Sequence, residues 1–116
     1  MLPKKRRISR KEFPDIISKG KRYNSAHLLL HVIQLNSNGA NLPSKFSFSI
    51  SKKVSKKAVQ RNKNRRRGYS IVGNAIEKIK PGFLFFFTFK KGSGLVSFNV
   101  LEKEITELLS SSLVLI

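Results

Sequence analysis

At 116 residues, 40% hydrophobic and with nine Phe, the chain suits one folded domain and does not fit the disordered class. Its 24 Lys and Arg against 6 Asp and Glu leave a net charge of +18, a self-repulsion that implies a polyanionic partner. With no cysteine, no apolar run near the ~20 residues of a membrane span and no signal-peptide core at the basic N-terminus, disulfide, thiolate and membrane classes drop out, and a cytoplasmic nucleic-acid binder is expected.

Residues 1–11 form a basic arm, of which 1–8 are expected to be flexible. Ser9 and Glu12 have capping-box spacing and open a short helix with Phe13, Ile16 and Ile17 on its apolar side. Pro14 falls in the first turns, where it is tolerated. Gly20 suits the position after the helix, with Lys19 beside the negative end. Lys21 to Ser25 reads as a brief strand. From His27 to Leu35 the pattern alternates, with Leu28, Leu30 and Val32 on the better core face and His27, Leu29, His31 and Ile33 on the more open one. Residues 36–41 carry turn chemistry. Lys45 to Ser51 alternates again, Phe46, Phe48 and Ile50 inward and Ser47, Ser49 and Ser51 outward. These two runs are expected to pair antiparallel.

Between Lys52 and Arg67 lie nine Lys or Arg and no acid. Ser55 is placed to cap a helix there, with Ala58 and Val59 as an apolar foothold and Ile71, Val72, Ala75, Ile76 and Ile79 as its periodic tail. At about 100° per residue, Arg61, Asn62, Arg65, Arg66 and Tyr69 fall within roughly 140° of arc. One helix face therefore gathers guanidinium groups around an amide and a phenol. Pro81-Gly82 ends the pattern. Phe83 to Phe89 is a nearly continuous apolar strand, suited to the middle of a sheet. After a Gly92–Gly94 loop, Asn99 and Glu102 have capping spacing, and Leu101, Ile105, Leu108 and Leu109 make a helical stripe. The whole is a single α+β domain, with helices packed on a mostly antiparallel sheet.

A nuclease centre needs converging carboxylates or acid–base side chains. The six acids lie in or near the expected helices, away from the basic centre, and Glu104 and Glu107 read as a solvated surface pair. His27 and His31 on one strand stand roughly 13 Å apart at ~3.3 Å per residue, too far to share a zinc ion. Ser51 and Ser55 have no histidine base nearby in sequence. No catalytic residue and no protein-held metal are expected.

The stretch SISKKVSKKAVQRNKNRR, Ser49 to Arg66, closely resembles the signature of the bacterial ribonuclease P protein subunit: a strand ending in Ser-Lys-Lys, a link into Ala-Val, then Arg-Asn and further basic residues. Leu2-Pro-Lys4, Arg10 to Phe13 and Ser18 to Gly20 extend the match over most of the chain. The resemblance implies an αβββαβα fold with a left-handed crossover, similar to a ribosomal-protein domain. It also implies assembly with a catalytic RNA that removes the 5′ leader of precursor tRNA, the RNA and its Mg²⁺ performing hydrolysis and no protein partner being required. By the same resemblance Lys52, Lys53, Lys56, Lys57, Arg61, Asn62, Arg65 and Arg66 bind RNA, joined by Arg67 and Tyr69 where the chain departs from the family pattern. Phe13 matches the aromatic of a leader cleft, and Ile17 and His31 stand where aromatic residues often occur. Asn64 and Gly68 also depart from the pattern, Gly68 marking a close approach to the sheet or a weak point in the helix. A ribosomal-protein-like or general architectural RNA binder is the alternative.

Overall fold

The structure, a computed structural model, describes residues 8, 13–34, 44–50, 56–90 and 96–112, the side chain of Asp15 excepted. Its centre is β4, Phe83–Phe89, in a four-stranded sheet of order β1-β2-β4-β3. The other strands are β1, Lys21–Asn24; β2, Leu28–Gln34; and β3, Lys45–Ser49. A strand with neighbours on both edges and cover on both faces reads as an unbroken apolar run, and FLFFFTF does. β1–β2 and β2–β4 are antiparallel, and β3–β4 is parallel.

The expected β2–β3 pair does not form. β4 lies between them, with Phe85 opposite Val32 on one side and Phe46 on the other. Alternation assigns a strand's two faces correctly but carries no information about which strand lies at each edge.

The main core lies on one face of the sheet. Leu28, Leu30, Val32, Phe46, Phe48, Phe85, Phe87 and Phe89 meet Ile71 and Val72 of α2 (Ala58–Ala75) and Leu101, Ile105, Leu108 and Leu109 of α3 (Phe98–Ser111). Phe46 stacks on Phe85 at 5.0 Å and Phe48 on Phe87 at 4.7 Å. The opposite face carries a smaller cluster of Ile8, Ile16 and Leu84, with Phe13, Ile33 and Phe86 packed against it. Its cover is α1, Phe13–Lys19. Ile8 belongs to the arm expected to be flexible, yet it is buried and its N–H donates to the Phe46 carbonyl at 3.2 Å. The rest of that arm, the 36–41 turn, Ser51 to Ser55 and the 92–94 loop lie outside the described residues.

Helix ends differ from the expected ones for local reasons. α2 opens at Ala58, after an extended Lys57 that supplies no side-chain cap, so the expected Ser55 cap does not mark its start. Ala58 is exposed and Val59 is 73% exposed, so neither is a foothold. Burial along α2 begins only at Asn64, because the first turns overhang the sheet. The helix tightens into a 3₁₀ turn at Ile76–Lys78, and Gly82, with φ of 86°, turns the chain into β4. At Gly20 space rather than dihedral angle is decisive: a Cβ would stand 2.4 Å from the Ile16 carbonyl oxygen and 3.2 Å from that of Val32. α3 is capped by Ser97, which accepts from the Val100 N–H at 3.4 Å, and not by Asn99, which lies inside the first turn.

Candidate nucleic-acid interface

The basic face is positioned by the contact between α2 and β3. A Cβ on Gly68 would lie 2.5–2.8 Å from three atoms of the Phe48 ring, so the glycine is where helix backbone meets the sheet directly. Next to it Tyr69 is buried, edge-on to Phe48 with centroids 5.1 Å apart. From this seat outward, Val59, Asn62, Arg65, Arg66 and Tyr69 line one cavity of about 440 Å³. Arg65 donates to Asn62 Oδ1, which orients guanidinium and amide together.

Around that cavity the other expected residues divide. Lys56 and Lys57 are exposed at the start of the helix. Arg61 shares its helical angle with Val72, a core residue, and escapes full burial because its turn overhangs the sheet; its Nη1 donates to the Lys56 carbonyl at 3.0 Å. Arg67 points elsewhere, with Nη1 donating to the Val96 carbonyl at 2.5 Å. Lys52 and Lys53 lie outside the described residues. Asn64, not singled out by the motif as a site residue, is fully buried, and its Oδ1 accepts from the Val96 N–H at 3.3 Å. Its signal was available: Asn64, Gly68, Ile71 and Ala75 follow the i, i+4, i+7, i+11 spacing of an apolar stripe.

On the opposite face, Arg22, His31, Phe86 and Ser47 form one row across the four strands, and Asn24, Leu29, Thr88 and Ser49 the next. Phe13 stands edge-on to Phe86 at 5.0 Å, half-buried, while Ile17 is 58% exposed beside it. His31 is not on an open surface as expected: it is buried between Arg22 and Phe86, with ring centroids 6.0 Å apart in the second pair. Its Nδ1 has no hydrogen-bond partner among the described residues. Burial, then the Arg22 charge, lowers its pKa from the ordinary value.

Glu104 corrects a second expectation. It is buried, not solvated, and its Oε1 accepts from Ser25 Oγ at 2.5 Å and the His27 N–H at 2.7 Å, while Oε2 lies 2.5 Å from His27 Nδ1. Burial pushes its pKa up, but the bonds from Ser25 and His27 outweigh it and hold the carboxyl below its ordinary value. His27 precedes β2 and stands about one-third exposed. Among the described residues, no group of three or more His, Cys, Asp or Glu is placed to hold a metal ion. No described helix is long and apolar enough to cross a membrane.

The Ribonuclease P family model matches residues 2–112. The chain belongs to that family. Among its ribonuclease P relatives, the protein component of Microcystis aeruginosa is 33% identical over 109 residues, 93% of this chain and 91% of the relative. That of Synechococcus elongatus is 31% identical over 111 residues, 94% of this chain and 91% of the relative. The solved RNase P protein of Staphylococcus aureus shares the fold with a TM-score of 0.82, at 17% identity and covering 96% of this chain and 98% of that one. For the Thermotoga maritima RNase P protein the TM-score is 0.77, at 21% identity with 90% and 96% covered. This chain is thus a protein component of ribonuclease P, the endoribonuclease of tRNA 5′ processing.

Proposed function

We propose that the outer face of α2 binds the catalytic RNA of ribonuclease P, and that the opposite side of the sheet, between α1 and the Arg22–Ser47 row, receives the 5′ leader of precursor tRNA. Hydrolysis then belongs to the RNA and its Mg²⁺, and this chain holds and orients. The observation that carries the reading is the convergence of Asn62, Arg65 and Arg66 over a Tyr69 and Val59 floor. Guanidinium forks match phosphate oxygens, and an Asn-oriented fork is already directed before RNA arrives. On the other face, Phe13 and Phe86 supply aromatic surface and Arg22 a flanking charge, the combination that holds single-stranded RNA without reading its sequence.

In this reading the chain works in the cytoplasm and needs no protein partner. The test is reconstitution. The repurified protein alone should leave precursor tRNA intact, and 5′ cleavage should accompany addition of a ribonuclease P RNA with Mg²⁺, at lower RNA and metal concentration than the RNA requires alone. Cleavage by RNA-free protein that survives repurification would overturn the division of labour. Equal binding to ribosomal RNA and ribonuclease P RNA would return the chain to the general RNA binders.

A further inference from the structure

The ridge of α2 has a second side. Lys63, Arg66, Arg67 and Ser70 form, with Phe98 of α3, another shallow cavity of about 350 Å³, and Arg66 borders both this one and the Asn62–Tyr69 cavity. Of the nine Phe in the chain, Phe98 alone is exposed, at 37%. Two residues before it, Val96 is held at both backbone polar atoms by α2: its N–H by Asn64 Oδ1 and its carbonyl by Arg67 Nη1. The Ser97 cap then fixes the first turn of α3. Phe98 is therefore an exposed ring on a rigid mount, facing a wall of cations.

We infer that this groove is a nucleotide site, in which an unstacked base of the bound RNA lies on Phe98 and its phosphates meet Lys63 and Arg66. The inference rests on the reading of α2 as an RNA-binding helix and extends its footprint onto α3. Three cations and no acid line the groove, so the chemistry that complements it is anionic. A single aromatic ring flanked by Lys and Arg accepts any base by stacking while the charges follow the backbone. The mount lowers the ordering cost that an aromatic on a free loop would incur on binding. Arg67, which the motif assigns to RNA contact, acts here chiefly as a positioning residue through Val96.

The chain contains no Trp, so Phe98→Trp creates a single fluorophore in the groove. Titrating that variant with a cyanobacterial ribonuclease P RNA transcript should quench its emission. A Val100→Trp control, exposed on the same helix but outside the groove, should stay bright. Phe98→Ala should weaken binding of the same transcript by about ten-fold, with Phe98→Tyr near wild type and Phe98→Leu close to Ala. Unquenched Phe98→Trp, or Leu as good as Phe, in a chain that binds the transcript normally would overturn the site and leave the α2 reading standing. If wild-type protein does not bind the transcript at all, both fail together. Should Phe98→Ala unfold, the Trp variant, which keeps a ring at the position, still decides by quenching.

Discussion

Glu104, on the last helix, accepts hydrogen bonds from both the backbone N–H and the imidazole Nδ1–H of His27, 77 residues earlier in the chain. With Ser25 as third donor, one carboxylate fastens α3 to the turn between β1 and β2. Glu104→Ala leaves these donors without their acceptor and should cost about 1–3 kcal/mol in denaturant unfolding. The sign with pH follows from the lowered pKa. The stabilisation is fully present above the ordinary value of 4.5 and is lost as pH falls through the lower value of the folded state. Glu104→Gln should therefore flatten the acid limb of the stability curve, and an unchanged limb would show the knot to be energetically idle.

On α2, Arg65→Ala and Arg66→Ala should each make the dependence of log K on log salt shallower by about 0.7–0.9, since each removes one phosphate contact. Asn62→Ala should lower affinity with less effect on the salt slope, because Asn62 orients Arg65 rather than neutralising charge. Lys103, exposed on α3, is the control and should leave both quantities unchanged.

Gly68→Ala sets two effects against each other. Alanine gains up to about 1 kcal/mol of helix propensity. It also drives a methyl group into the Phe48 ring, which cannot retreat because it is stacked on Phe87 and met edge-on by Tyr69. Overpacking of this kind typically costs about 1–3 kcal/mol, so net destabilisation is expected in thermal unfolding. Adding Phe48→Leu, whose flexible chain yields space, should recover part of the loss.

Phe13→Ala should weaken holoenzyme binding of leader-bearing precursor while leaving mature tRNA nearly unchanged, a difference read by competition assays. Equal losses would assign Phe13 to anchoring α1 alone. His31 offers a second handle on the same face. Its lowered pKa means the folded state binds fewer protons than the unfolded chain, so stability falls as pH drops below the ordinary value of 6.5. His31→Phe should remove that loss between about pH 7 and 5 and keep the ring row intact.

Period-two alternation in β2, β3 and β4 identified the inward residues correctly, because each strand has one face on the main core. Strand order was beyond it: β4 is apolar on both faces, and nothing in FLFFFTF says that its edges separate β2 from β3. The basic motif located Asn62, Arg65 and Arg66, since helical spacing alone brings them together. Arg67 and Tyr69 were read by type, and the fold turned one toward Val96 and sank the other against Phe48. Asn64 and Glu104 could have been found. Both interrupt an apolar helical stripe, and a polar residue in such a register is usually buried with a partner.

Because β2 and β3 both depend on β4, the order of synthesis opposes the order of assembly. A ribosome releases β1, β2, β3 and all of α2 before the strand that joins them exists. Until Phe83–Phe89 emerges, β1 and β2 form only a two-stranded ribbon, of the kind that is marginal in water. β3 meanwhile lacks the strand beside it, and Phe48 lacks the Phe87 ring it stacks on. The nascent chain thus carries its most basic stretch into the cell unseated, and the domain closes as one late event that needs almost its full length. Truncation before β4 yields no smaller working unit, only an open chain dense in positive charge.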